Sequence, residues 1–193
     1  MEIDEIATLI SIAPPPFVFV HDAVCLRDTI NALETALISE KNSTAHVQHV
    51  VANGVSCFTP RLLYDHIINA LAGWSVEWHE GCANWTLPSF SGRWNDSFDS
   101  FTRGLRTLHS HIRSNRAKGS MAESNRNTRG KKKGKGRQRQ VEEEEVRFAI
   151  IIEHAERLRC NMPDLLVPLT RLAELVCIAY PRELMMLTSN RLN

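Results

Sequence analysis

Four short apolar runs, rich in β-branched, aromatic or other large side chains, constrain the fold of this chain more than any other feature. They occupy residues 17–20, 47–52, 146–152 and 184–188. The third run includes Phe148, Ala149 and three consecutive isoleucines, which is typical of a strand buried on both faces. Segments with apolar residues at helical spacing lie between the runs, at 23–37, 60–71, 98–112 and 164–179. Strands that alternate with helices form βαβ units, so the sequence predicts an α/β fold with a parallel sheet flanked by helices.

Two further segments have clear local signals. Thr59 followed by Pro60 predicts a helix start, and Gly73 predicts its end. Residues 74–97 hold all four tryptophans together with Gly81, Pro88 and Gly92, a pattern that predicts an irregular packed loop.

The charge of the chain is unevenly distributed, although the net charge is only +1. Residues 113–140 contain eleven Lys or Arg and one acid and carry +10, while the rest of the chain carries −9. Residues 114–140 have no aromatic or branched apolar side chain, so they cannot bury enough surface to fold, and we expect them to be disordered. An acidic run at 142–145 follows. We therefore divide the chain into a first core segment at 1–113, a linker at 114–145 and a second core segment at 146–193.

The basic segment is a candidate DNA-binding site through its charge alone. The positions concerned are Arg129, Lys131, Lys132, Lys133, Lys135, Arg137 and Arg139. Such a run contacts phosphates electrostatically and without base reading, because it offers no aromatic side chain for stacking. The same composition is typical of a nuclear import signal and of a solvated linker without a partner, and the sequence leaves these alternatives open.

Several other classes of protein are disfavoured. The five cysteines are scattered and form no C-x-x-C pair, which predicts reduced thiols in an intracellular protein. The acidic start does not match a secretory signal, and no apolar run reaches the roughly 18 residues of a membrane helix. Neither His79-x-x-Cys82 nor His109-x-His111 has a companion pair at zinc-site spacing, so we expect no metal site.

A degenerate phosphate loop follows the first strand. Residues 22–29 align without a gap with the pattern G-x-x-x-x-G-K-[ST], in which glycines and a lysine hold phosphates. Asp22 and Arg27 occupy the glycine positions, Asp28 occupies the lysine position, and Thr29 keeps the hydroxyl that would bind Mg²⁺. An anion in place of a cation repels phosphates, so we expect no tight binding of ATP and Mg²⁺ and no firm cofactor. The alternative is an ordinary amphipathic helix without any ligand.

Polar residues at the ends of two later strands complete the candidate nucleotide site. Glu153 stands where a Walker B segment has its metal-orienting Asp, and His154 stands where the water-activating acid follows. A histidine at a strand end is also a common structural hydrogen-bonding residue. Asn190 follows the last strand, at a position from which a side chain can sense the terminal phosphate.

Taken together, these segments resemble the subunit 5 family of the eukaryotic origin recognition complex, which belongs to the AAA+ proteins with a P-loop NTPase-like fold. The matching residues are Pro-Pro-Phe-Val-Phe-Val at 15–20, Cys-Phe-Thr-Pro-Arg-Leu-Leu at 57–63 and Ile-Ile-Ile-Glu-His-Ala-Glu-Arg-Leu-Arg at 150–159. The helical pattern from Asp164 to Leu175 is similar too, and Asn190 falls at the AAA+ sensor-1 position. The chain departs from the family in its lost Walker A residues, in Glu153 replacing Asp, and in ending near sensor 1. The family's last AAA+ strand, helical lid and winged helix are therefore expected to be missing.

The resemblance implies a non-catalytic, AAA+-like subunit of the nuclear origin recognition complex. Its implied role is structural, in origin binding and helicase loading during the initiation of DNA replication. Its implied partners are the other subunits of the complex and DNA, bound without sequence preference. Two alternatives stay open: a weak ATP-binding P-loop ATPase that uses Thr29, Glu153 and Asn190, and a free-standing basic nuclear adaptor.

Overall fold

The computed structural model describes residues 5–6, 17–21, 26–39, 45–75, 84–87, 93–126, 145–172 and 184–189. Within these ranges the elements are β1 (Phe17–His21), α1 (Leu26–Ser39), β2 (Ala45–Asn53), α2 (Pro60–Leu71), α3 (Phe98–Arg126), β3 (Glu145–Glu153), α4 (Ala155–Asn161), α5 (Pro163–Thr170) and β4 (Leu184–Ser189).

The four strands form one parallel sheet in the order β1-β4-β3-β2. Phe17 pairs with Met185 across β1 and β4, and Asn53 pairs with Glu153 across β2 and β3. The predicted parallel sheet is confirmed. Because all strands run the same way, their last residues lie along one edge, which we call the carboxyl edge.

One face of the sheet is covered by α1. Ile30, Leu33 and Leu37 of this helix are buried against Ala149 and Ile151 of β3. These positions follow the helical period in α1 and the two-residue period in β3, so each element offers one continuous apolar surface.

The opposite face carries the larger core. Phe148, Ile150 and Ile152 of β3 pack there with residues of α2 and α3 such as Ile67 and Phe101, and all five side chains are almost fully buried. Alternate residues of β3 therefore serve two cores, which explains why residues 148–152 are apolar without interruption.

The boundaries predicted for α2 are confirmed. The Thr59 backbone is extended, and its hydroxyl accepts a hydrogen bond from the Leu62 amide at 3.4 Å, with Pro60 at the first helical position. Gly73 has a φ of +63° just after the helix, a conformation that favours glycine.

The predicted disorder is wrong for residues 114–126, because α3 continues to Arg126. The first part of this helix is anchored by Phe101, Leu105 and Leu108, which are fully buried. A packed first part supplies the nucleus that an isolated helix lacks, so the residues beyond it can extend the helix without a core of their own, although they include Gly119 and several Ser and Asn. Residues 127–144 lie outside the described ranges.

The segment after β3 differs from the predicted pattern. Helix α4 was not predicted, and α5 ends at Thr170 with Arg171 in a turn, whereas the periodicity predicted one helix over 164–179. The interior Pro168 lacks the amide that would continue the ladder, which favours a short helix. Residues 173–183 lie outside the described part of the chain.

The tryptophan-rich segment is tied to α2 by a polar network. Asp65 accepts hydrogen bonds from Asn84 Nδ2 at 2.7 Å and Asn95 Nδ2 at 2.8 Å, and Asn69 Oδ1 accepts one from the Trp85 amide. The described parts of 74–97 contain neither a helix nor a strand, as the prediction of an irregular loop requires.

None of the helices in the described ranges has the length and apolar character that crossing a membrane requires.

We predict that Thr59→Ala lowers the free energy of unfolding by about 1 kcal/mol, because it removes the side-chain cap of α2. Urea denaturation followed by circular dichroism measures the change. Thr35→Ala is the matched control, since the exposed Thr35 hydroxyl only donates a hydrogen bond to the Asn31 carbonyl one turn earlier in α1. Equal losses of stability in the two variants would contradict the capping role.

Candidate functional site at the carboxyl edge

The carboxyl edge is where open parallel sheets place their ligand sites. The first turn of α1 begins here, because β1 ends at His21 and α1 starts at Leu26. Arg27 and Asp28 are exposed in this turn, and Thr29 is partly buried. Asp22 and Asn190 lie outside the described residues, as do all seven candidate DNA-binding residues at 129–139.

Glu153 is joined to a residue that the sequence analysis missed. Asn53 Nδ2 donates a hydrogen bond of 2.8 Å to Glu153 Oε2, and the two residues are register partners at the ends of β2 and β3. Asn53 Oδ1 accepts hydrogen bonds from the Val55 amide at 2.8 Å and the Ser56 amide at 3.4 Å. Both the Nδ2 and the Oδ1 atom of Asn53 therefore form hydrogen bonds. A sequence signal existed: an Asn directly after an apolar strand and before Gly is typical of such a turn.

Gly54 allows β2 and β3 to stay paired at this point. Its amide donates to the Glu153 carbonyl at 2.8 Å. A Cβ atom at position 54 would lie 2.7 Å from the His154 carbonyl oxygen and 3.0 Å from that of Glu153. Both neighbours are backbone atoms that cannot rotate away, so a larger residue would push the strand ends apart.

His154 has a strained backbone. Its φ of 54° and ψ of 45° are left-handed, and in the described ranges it is the one residue other than glycine with a positive φ. The conformation turns the chain from β3 directly into α4. His154 Nδ1 lies 3.3 Å from Glu156 Oε1, and both side chains are partly buried. This geometry favours the structural interpretation of His154 over that of a catalytic base.

Cys57 packs beneath the turn and is not a candidate nucleophile. It is buried, and burial raises the pKa of its thiol, although hydrogen bonds with Ser56 and the Asn53 backbone act in the opposite direction. A thiol with a raised pKa stays protonated and unreactive at neutral pH. Within the described ranges, no three His, Cys, Asp or Glu side chains are grouped as metal ligands would be.

The turn that follows the Asn53–Glu153 pair presents apolar side chains to solvent. Val55 is 55% exposed, Phe58 is 57% exposed and Leu62 is 43% exposed. The Asn53 hydrogen bonds and the α2 cap hold this segment in an ordered conformation. We call Val55, Phe58 and Leu62 the apolar turn.

We predict that His154→Gly is more stable than His154→Ala by about 1 kcal/mol, because only glycine adopts the left-handed conformation without a steric cost. Thermal and urea unfolding measure the difference. The matched pair is Arg157→Gly and Arg157→Ala in the first turn of α4, where glycine should be the less stable by a similar amount. If the Gly and Ala variants had the same order of stability at positions 154 and 157, the backbone strain at His154 would be contradicted.

The comparisons with known proteins agree with this fold. No protein-family model and no curated protein matches the chain. Among solved structures, it is similar to a chain of "Structure of Drosophila ORC bound to DNA", with a TM-score of 0.52 and 17% sequence identity over 92% of this chain. The match covers 33% of that chain, so the present sequence spans about a third of its length. At this identity the likeness is one of fold: this mixed α/β chain folds like part of a chain from the Drosophila origin recognition complex.

Proposed function

We propose that this chain is a non-catalytic, AAA+-like subunit of the nuclear origin recognition complex, equivalent to subunit 5, with a structural role in the initiation of DNA replication. The observation that carries the proposal is the fold likeness over 92% of the chain. The motifs at 15–20, 57–63 and 150–159 support it independently, because they resemble the subunit 5 family in sequence.

The residues at the carboxyl edge support the absence of catalysis. Asp28 brings a negative charge to the turn where a phosphate-binding loop needs a positive one. The Glu153 carboxylate already accepts a hydrogen bond from Asn53, and the His154 ring lies against Glu156. Of the described groups that ATP hydrolysis would recruit, Asp28 thus has the wrong charge, and Glu153 and His154 are engaged in holding the fold.

Two surfaces support a role in assembly. The apolar turn is one, beside the Asn53–Glu153 pair. The other is β1, which in the described sheet pairs on one side only, with β4, and has Phe19 55% exposed. A partner chain that covers either surface removes apolar area from water. The proposal also assigns the basic residues at 129–139 a role in nuclear import and in contact with DNA that is independent of sequence.

We predict that the chain neither binds ATP tightly nor hydrolyses it. Titration with labelled ATP and Mg²⁺ should show no saturation in the micromolar range. The matched variant combines Asp22→Gly, Arg27→Gly and Asp28→Lys, which rebuilds the phosphate loop and should gain ATP affinity. Micromolar binding by the unaltered chain that Glu153→Ala abolishes would instead support the weak ATPase.

We predict that the chain co-elutes with other subunits of the origin recognition complex after co-expression and melts at a higher temperature in their presence. A partner that binds only the folded form stabilises it by mass action. Combined Val55→Ser and Phe58→Ser should weaken co-elution. Combined Ile38→Ser and Val167→Ser is the control, because those residues are also exposed and apolar but lie on α1 and α5.

A monodisperse monomer whose melting temperature does not change when those subunits are added would contradict the proposed assembly. Equal loss of co-elution in both double variants would contradict the choice of the apolar turn.

A further inference from the structure

The second part of α3 extends beyond the core of the molecule. His109 Nε2 lies 2.9 Å from the carbonyl oxygen of Val146, the second residue of β3, so His109 is level with the amino end of that strand. The centroids of the His111 and Trp85 rings are 5.9 Å apart, and Ile112 is the last of the described side chains of α3 that packs on the core. Residues 113–126 continue the helix for about 21 Å, at 1.5 Å per residue. We call them the α3 arm.

The α3 arm is basic, and its apolar residues are limited to Ala117, Met121 and Ala122. It contains Arg113, Arg116, Lys118 and Arg126 with one acid, Glu123. Among residues 113–116, whose side chains are described, none is buried. A helix with so few apolar side chains gains little from burial, which leaves contact with solvent or with a polar partner as its role.

The charge of the arm points to an anionic partner. Outside residues 113–140 the chain carries −9, so a polyanion is repelled by the body of the molecule and attracted to this region. Duplex DNA carries one negative charge per about 1.7 Å of its axis with both strands counted, so the length of duplex beside a straight arm of about 21 Å carries about a dozen phosphate charges. The arm has no aromatic side chain, and stacking on single-stranded bases is therefore not available to it.

We infer that the α3 arm is a binding site for the phosphate backbone of duplex DNA, at the opposite end of the sheet from the carboxyl edge. This placement leaves the apolar turn free to contact a protein while the arm contacts DNA. The inference deepens the proposed function and rests on it only for the biological setting, since the binding itself needs no partner subunit.

The test uses the full chain and a duplex DNA of about 30 base pairs. The arm variant combines Arg113→Gln, Arg116→Gln and Lys118→Gln. The control combines Arg27→Gln, Arg157→Gln and Arg159→Gln, which removes the same charge from exposed positions on α1 and α4. Circular dichroism and melting temperature establish that both variants fold as the unaltered chain does.

The expected result is a loss of affinity in the arm variant of about tenfold or more at low salt. Its slope of log K against log salt should fall by about 2 to 3, because each lost phosphate contact removes about 0.9 from the slope. The control should change by less than 1. Ser114→Lys with Ser120→Lys, which adds charge to the arm, should instead raise the affinity, and this variant keeps the test decisive if the first one unfolds.

A second parent protein separates the contribution of the arm to DNA affinity from that of the basic residues that follow it. In the full chain with all seven basic residues at 129–139 changed to Gln, the arm variant should still lose affinity relative to its own parent. Disappearance of the effect in this background would overturn the inference, as would equal losses in the arm variant and the control. Tighter binding to phosphatidylserine vesicles or to single strands than to the duplex would overturn the choice of ligand.

These outcomes are independent of the assembly experiment. Loss of DNA affinity in the arm variant, together with a monomer that ignores the other subunits, would retain the arm and reject the proposed complex. Co-elution with the other subunits, together with unchanged DNA affinity in the arm variant, would retain the proposed complex and reject the arm as a DNA site.

Discussion

The burial of β3 on both faces is the constraint on which the rest of the structure depends. Its residues alternate between the core under α1 and the core under α2 and α3, and it pairs with β2 on one side and β4 on the other. Among their described side chains, β1 and β2 contribute fully buried residues to at most one of the two cores. The positions of Glu153 and His154 follow directly, because they are the residues at which this strand leaves the core.

At the carboxyl edge, polar side chains hold the fold together. The Asn53–Glu153 hydrogen bond and the close approach of Gly54 to the His154 carbonyl hold two parallel strands together where the chain turns away from both. The same asparagine orders the turn that exposes Val55. The Glu153 carboxylate in this way stabilises the protein surface around the apolar turn, and we regard that surface as the functional part of the edge.

The two ends of the sheet have different chemical character. The carboxyl edge has the apolar turn and residues of both charges, whereas the amino end is extended by the basic α3 arm. A subunit that holds a protein neighbour at one end and DNA at the other fits the proposed place in a complex that binds DNA. The separation arises because α3 is longer than the strand it packs against.

The sequence alone determined the fold class, because apolar runs and helical spacing report burial, and burial on both faces leaves few topologies for parallel strands. It also determined α2, through Thr59 and Pro60, and the positions of Glu153 and His154 at a strand end. Asn53 before Gly54 signalled a turn, but the hydrogen bond of Asn53 to Glu153 was beyond the reach of the sequence, since a bond between residues 100 positions apart depends on strand register. The tertiary structure also decided the extension of α3 to Arg126. Composition measures only how much apolar surface a segment can bury itself. Residues 113–126 are helical because they continue a helix that is already nucleated by the packed residues before them.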